Sequence, residues 1–185
     1  MSNNFSAFGL RPVRDSGFEK NGEVIAAVSQ ELRLYDPVVR NADGNIIRAV
    51  AGTGNKIYGT IVSIYNDSGM PKSSYPSMTV PPTGWTAVVN ADTDQEFVIV
   101  EDSVGGSLAL TDKGQNVNII FGTVHFSGLS GCMIDSSSVA STAGHQLRLM
   151  RPLEMMNNTV GSANCQWIVK INNPQNAAQN LGAAV

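Results

Sequence analysis

The sequence predicts an all-β fold, either an antiparallel barrel or a sandwich. It divides into an extended N-terminal arm (1–21), a single β domain (22–172) holding a long Pro-rich loop (67–84), and an extended C-terminal tail (173–185). Three observations predict this. Short runs rich in Val, Ile, Tyr, Phe and Thr recur between clusters of Gly, Pro, Asn and Asp, which is how strands are composed and punctuated. Asp43-Gly44 stands between two apolar runs, and this pair tolerates the positive φ values of a tight hairpin. Helical stretches are nearly absent: the closing AQNLGAAV is interrupted by Gly182 and approached through NNPQN, so it reads as extended tail.

Taken in order, the arm comes first. Its core is FGLRPVR (8–14), where Pro12 blocks a helix through Arg11, and Phe5, Phe8, Leu10 and Val13 follow neither strand nor helix periodicity. Such a segment either packs over its own domain or reaches for another chain. GEVIAAVSQELRLYD (22–36) reads as a strand ending at Asp36-Pro37, because proline cannot donate to a central ladder. PVVRNADGNIIRAV (37–50) is the hairpin, and KIYGTIVSIYN (56–66) a further strand. DSGMPKSSYPSMTVPPTG (67–84) holds four prolines and two glycines and reads as a loop, of a length usually functional or packed on a neighbour. Then come WTAVV, QEFVIVE, NVNIIFGTVHF, HQLRLMRPL and ANCQWIVKIN, each a strand candidate.

Composition bounds the function. At 185 residues and 42% hydrophobic the chain is long enough for one domain with a real core. Only 15% of residues are charged, the net charge is −3 and the basic residues are scattered, so no nucleic-acid partner is expected. No apolar run approaches the roughly 18 residues of a membrane-spanning helix, so no membrane association is expected either. Cys132 and Cys165 are far apart with no secretion signal before them, and two free, buried thiols are expected.

GLSGC places Ser130 near a nucleophile-elbow pattern, but Cys132 stands where the second glycine belongs and no helix follows. With His125, His145 and the run Asp135 to Ser138 as the other candidates, the simpler reading is that glycines shape a turn and serines cap loops. His125, Cys132, His145 and Cys165 lack the close ligand pairs of a zinc site. Asp92, Asp94 and Glu96 alternate, yet the calcium-loop positions for glycine and glutamate hold Phe97 and Ser103. AGTGNK and DSVGGS do not spell a phosphate-binding loop. No catalytic residue, cofactor site or metal site is expected, and the protein reads as a non-enzyme.

The order of several phrases is more informative than any one of them: FGLRPVR, YDPVV, YNDSG, VVNADTDQEFVIVEDSVGG, GQNVNII, SGLSGCMIDSSSVA, HQLRLMRP and WIVKINNPQ. In this order, over residues 5–174, the chain resembles structural proteins of tailed bacteriophages known as capsid decoration or cement proteins. Pro174 departs from the histidine that members often show after the closing asparagines. The resemblance implies a protein made in the host cytoplasm and carried on the outer surface of the virion capsid. Its partners would be the major capsid protein and itself, as a homotrimer, with a dimer as the alternative. Phe8 and Leu10 would fill pockets on capsid subunits, while Arg11 and Arg14 would pair with carboxylates. Against this stands the reading in which FGLRPVR closes one end of its own domain. The alternative function is a receptor- or carbohydrate-binding surface module, with Tyr75 in the Pro-rich loop carrying recognition. A virion hydrolase using Ser130 and His145 is a third.

Overall fold

β-branched and alternating runs become strands wherever one face finds apolar cover. A computed structural model, describing residues 3, 5–14, 19–122 and 128–175, contains fourteen of them. They are β1 (Arg11–Pro12), β2 (Glu19–Val24), β3 (Leu32–Arg33), β4 (Pro37–Arg40), β5 (Ile46–Arg48), β6 (Gly59–Tyr65), β7 (Pro71–Lys72), β8 (Ser74–Tyr75), β9 (Thr86–Asn90), β10 (Phe97–Val100), β11 (Asn116–Phe121), β12 (Cys132–Ala140), β13 (Leu147–Pro152) and β14 (Gln166–Ile171). One six-stranded sheet runs β1-β10-β14-β13-β11-β12. The other runs β2-β9-β6-β4-β5 with β7 on β6, and β3 pairs β8 apart from both. Every strand pair is antiparallel, as expected.

Each sheet covers its own apolar cluster. Under the first lie Phe97, Ile99, Val117, Ile119, Leu147, Leu149, Trp167 and Val169, joined by Leu10, Ala49 and Ile57 from the first half of the chain. Under the second lie Ile25, Leu32, Val38, Ile46, Ile61, Ile64, Tyr75 and Val89. Both sheets curl until their flanks touch. Glu101, just past β10, forms one parallel bridge to Ile134 of β12, and Ile25, just past β2, forms another to Ile46 of β5. The Arg40–Glu23 ion pair spans the second flank, with the Arg40 guanidinium 4.4 Å above the Tyr58 ring. A single bridge is not a ladder, so no closed barrel forms among the described residues, and the arrangement is consistent with a sandwich.

Several expectations are corrected in detail. The run 22–36 does not form one strand: β2 stops at Val24, and residues 26–31 turn before β3. Pro37 opens β4 rather than ending a strand, which suits a residue with no N–H to donate. The Asp43-Gly44 hairpin is present, with Gly44 at φ 81° and Asn41 Oδ1 accepting the N–H groups of Asp43 and Asn45. The Pro-rich loop contains β7 and β8 and is pinned by Tyr75. That side chain is fully buried, meets Trp85 edge-on at 5.6 Å, and donates its hydroxyl to Pro82 O at 3.0 Å. β12, nine residues long, was missed because CMIDSSSVA looks like a loop.

The largest correction concerns the arm. Leu10 is fully buried in the first core and is therefore unavailable as an anchor on another protein. Its N–H donates to Tyr35 O and its carbonyl accepts the Thr60 hydroxyl, both at 2.9 Å. Arg11 and Pro12 then pair with Val98 and Phe97, so FGLRPVR supplies an edge strand after all. Asn3 is buried and bonds Thr159 through both ends of its amide. β2 begins at Glu19, inside the expected arm. The start of the tail is likewise tied down: Gln175 donates its N–H to Ile57 O and pairs its side-chain amide with both backbone groups of Arg40. Residues 176–185 lie outside the described residues.

Burial of Leu10 makes a definite prediction. Leu10→Ala should destabilise the fold by about 2–5 kcal/mol, read as a lowered midpoint in urea, whereas Phe8→Ala at a half-buried position should cost much less. Removing residues 1–14 should open the first core rather than leave an intact domain.

Candidate functional site

The surface around residues 8–14 gathers three of the four residues expected to contact a partner, and backbone geometry decides which. Gly9 sits at φ 84° with Tyr35 O only 2.4 Å and Ser130 Cβ only 2.5 Å from where a Cβ would stand, so no other residue lets the chain lie this close. Leu10 then turns inward. Arg11 turns outward, its guanidinium 4.9 Å from the centre of the Phe8 ring. Val13 N–H bonds Glu96 O at 2.9 Å, and Arg14 projects into solvent. Phe8, Arg11 and Arg14 are thus brought together at the surface, and Leu10 is not.

Two depressions flank this segment. One, of about 410 Å³, lies between Arg14 and the β9–β10 turn, with Asp92, Asp94, Glu96 and Arg151 on its walls. Its charges are largely spent on one another. Arg151 forks onto both Glu96 oxygens at 2.9 Å, and this pairing holds the Glu96 carboxyl below its ordinary range, with Lys170 and Arg14 adding to the effect. Lys170 stands 3.7 Å from Asp94. Asp92 Oδ1 accepts the Asp94 N–H at 2.9 Å, so the three acids shape a turn instead of sharing one extended face. Among the described residues no group of three or more His, Cys, Asp or Glu is placed to hold a metal. The second depression, of about 250 Å³, has Arg11, Arg14, Glu19, Tyr35, Val62 and Asn90 on its lining.

The residues weighed for hydrolysis are dispersed. Ser130 is fully buried, donates its hydroxyl to Asp36 Oδ1, and accepts the Cys132 N–H at 3.0 Å. His145 Nδ1 instead faces Asn116 O at 3.2 Å, and His125 lies outside the described residues. Asp135 Oδ1 accepts the N–H and hydroxyl of Ser137, while Ser136 bonds Asp102, so these serines hold β12 and its neighbouring turn in shape. Cys132 and Cys165 are free and buried, and burial pushes both thiols up, Cys165 to about 12.

Two buried carboxylates went unnoticed in the sequence. Burial raises Asp36 above its ordinary 3.8, opposed by the Ser130 hydroxyl, the Arg33 N–H and the nearby Arg48 and Arg33 charges. Burial likewise raises Glu101, which accepts the Leu108 N–H at 2.9 Å. The only advance signal for Glu101 is its place directly after the apolar FVIV, where the same strand direction carries it inward. Comparison with protein-family models, curated proteins and solved structures returns no match for this chain.

The Asp36 environment predicts a pH signature. Its folded pKa is raised, so its ionised form is the costly one, and that cost is relieved as pH falls through the folded value. Ser130→Ala removes a group that lowers this pKa and strips an acceptor from Cys132 N–H. It should cost about 1–3 kcal/mol at neutral pH, with a smaller penalty once Asp36 is protonated, as urea unfolding at two pH values would read.

Proposed function

We propose that this protein decorates the head of a tailed bacteriophage. In this reading it is a non-enzymatic cement protein that binds the outer face of the assembled shell and holds neighbouring capsomers together. The observation that carries the reading is the ordered series of phrases across residues 5–174 that resembles such proteins. The geometry lends support at one point. Two of those phrases, FGLRPVR and VVNADTDQEFVIVEDSVGG, are distant in sequence but meet as β1 on β10 and border the same depression. Their side chains at the meeting point, Arg11 and Arg14, face outward.

On this reading the major capsid protein is the partner, and Phe8, Arg11 and Arg14 make the contact while Leu10 holds their backbone in place. Self-association as a homotrimer, with a dimer as the alternative, would multiply modest contacts into durable attachment. The mechanism is linkage: a ligand that binds only the assembled shell stabilises that state by mass action. The surface-recognition alternative loses its named carrier, because Tyr75 is fully buried.

Quantitative mass spectrometry of purified virions tests the proposal. The expected result is a copy number comparable to that of the major capsid protein, with cross-links to it from Lys20, which is exposed on β2 next in sequence to the groove residue Glu19. A few copies per particle would move the protein to tail or fibre, and absence would end the reading.

A further inference from the structure

The groove between β1 and β2 differs from its neighbour in one respect that matters for recognition. Among the described residues, its charged wall groups are two guanidiniums, Arg11 and Arg14, and one carboxylate, Glu19. This local excess of positive charge stands in a chain whose net charge is −3. Across the ridge, the other depression balances Arg14 and Arg151 against three acids, with Arg151 already committed to Glu96.

Arg11 is held ready for a ligand. Its guanidinium face lies over Phe8, and among the described residues it makes no hydrogen bond or ion pair, so its N–H fork stays available for a carboxylate. The backbone on either side is clamped, by Leu10 to Tyr35 and by Val13 to Glu96. The lining is clamped as well. Tyr35 is a non-glycine residue at φ 67°, a sparsely populated conformation, kept there by its N–H to Ile61 O and its carbonyl to Leu10 N–H. With Val62 it adds apolar surface to the same lining.

The edge of the sheet narrows the mode of binding. Val13 N–H points at β10, so alternation along an antiparallel strand turns the backbone of residue 12 outward. That residue is proline and has no N–H to offer, so an incoming chain cannot extend the sheet by strand addition here. Recognition has to come from side chains.

We infer that this groove docks an acidic, extended peptide segment of a partner protein, with Arg11 and Arg14 taking its carboxylates and Tyr35 and Val62 receiving an apolar side chain between them. The inference rests on the decoration reading only for the identity of that partner, which would be the capsid shell.

The test is fluorescence anisotropy with the full chain and a labelled peptide alternating glutamate and leucine. Its lysine–leucine counterpart and a single-stranded DNA oligonucleotide serve as comparisons. The glutamate peptide should bind and the lysine peptide should not. Arg11→Gln and Arg14→Gln should each weaken binding about tenfold, equivalent to about 1.4 kcal/mol, and Glu19→Gln should tighten it, all with unchanged urea midpoints. No binding, binding indifferent to both arginine variants, or equal capture of the oligonucleotide would overturn the inference. Failure here with the protein still found on virions would remove the groove alone. Peptide binding by a protein missing from virions would keep the groove and remove the decoration reading.

Discussion

The buried hydrogen bond from the Ser130 hydroxyl to Asp36 is the constraint on which the rest depends, because it joins the two halves of the chain where neither sheet can. Asp36 stands between β3 and β4 in the first half, and Ser130 opens the approach to β12 in the second. Around the bond, Ser130 N–H reaches Leu34 O, Leu34 bridges Leu129, and Cys132 N–H returns to Ser130 Oγ to launch β12. On the other side Asp36 Oδ2 accepts the Arg33 N–H at 2.9 Å, and its carbonyl accepts the Ile61 N–H. An ionised carboxylate this deeply buried is expensive, and the cost is tolerable only because each oxygen meets a donor. The N-terminal segment is laid on this assembly: Gly9 touches Tyr35 and Ser130 directly, with no room for a side chain.

What could be read from the sequence was whatever is determined locally. The Asp43-Gly44 hairpin needs only a few adjacent residues, and Asn41 completes it from within the turn, so it was legible. The β-branched runs of β6, β10, β11 and β14 were legible for the same reason. β12 was not, since Asp135 and three serines have poor strand propensity, and their place in a sheet depends on partners far away, such as Asp102 for Ser136. Its one local cue was the alternation of buried Cys132, Ile134 and Ser136 with less buried neighbours. Leu10 and Tyr75 were misjudged because neither has periodic apolar companions: Leu10 stands in an irregular segment, and Tyr75 stands among serines and Pro76. Their burial is decided by long-range contacts, as with Asn3 and Thr159, which lie 156 positions apart.

The candidate site was legible by residue type but not by face. Phe8, Arg11 and Arg14 do lie together near the surface, while Leu10 was placed with them because an irregular segment gives no period from which to assign its direction. The two readings of FGLRPVR, an end cap or a contact segment, are therefore not exclusive. A strand has two sides, and here one residue of the segment fills the core while the next is exposed beside a groove. Glu19, Tyr35 and Val62 were invisible as site residues, since nothing in sequence places them beside the arginines.

A clamped segment has a thermodynamic consequence that a loose arm lacks. A free arm spends part of its contact energy on becoming ordered when it binds, which lowers affinity for a given contact area. Residues 9–13 are already ordered by Leu10, by the pairing with β10 and by the Tyr35 and Glu96 hydrogen bonds, so contacts made by Arg11 go more directly into affinity. The same arrangement couples binding to folding. Anything that loosens Leu10 in the core also unsettles the arginine beside it, and a partner that grips Arg11 stabilises the core beneath. If the proposed decoration role holds, a contact on a strand rooted in the core would direct any load into the sheet rather than into a hinge.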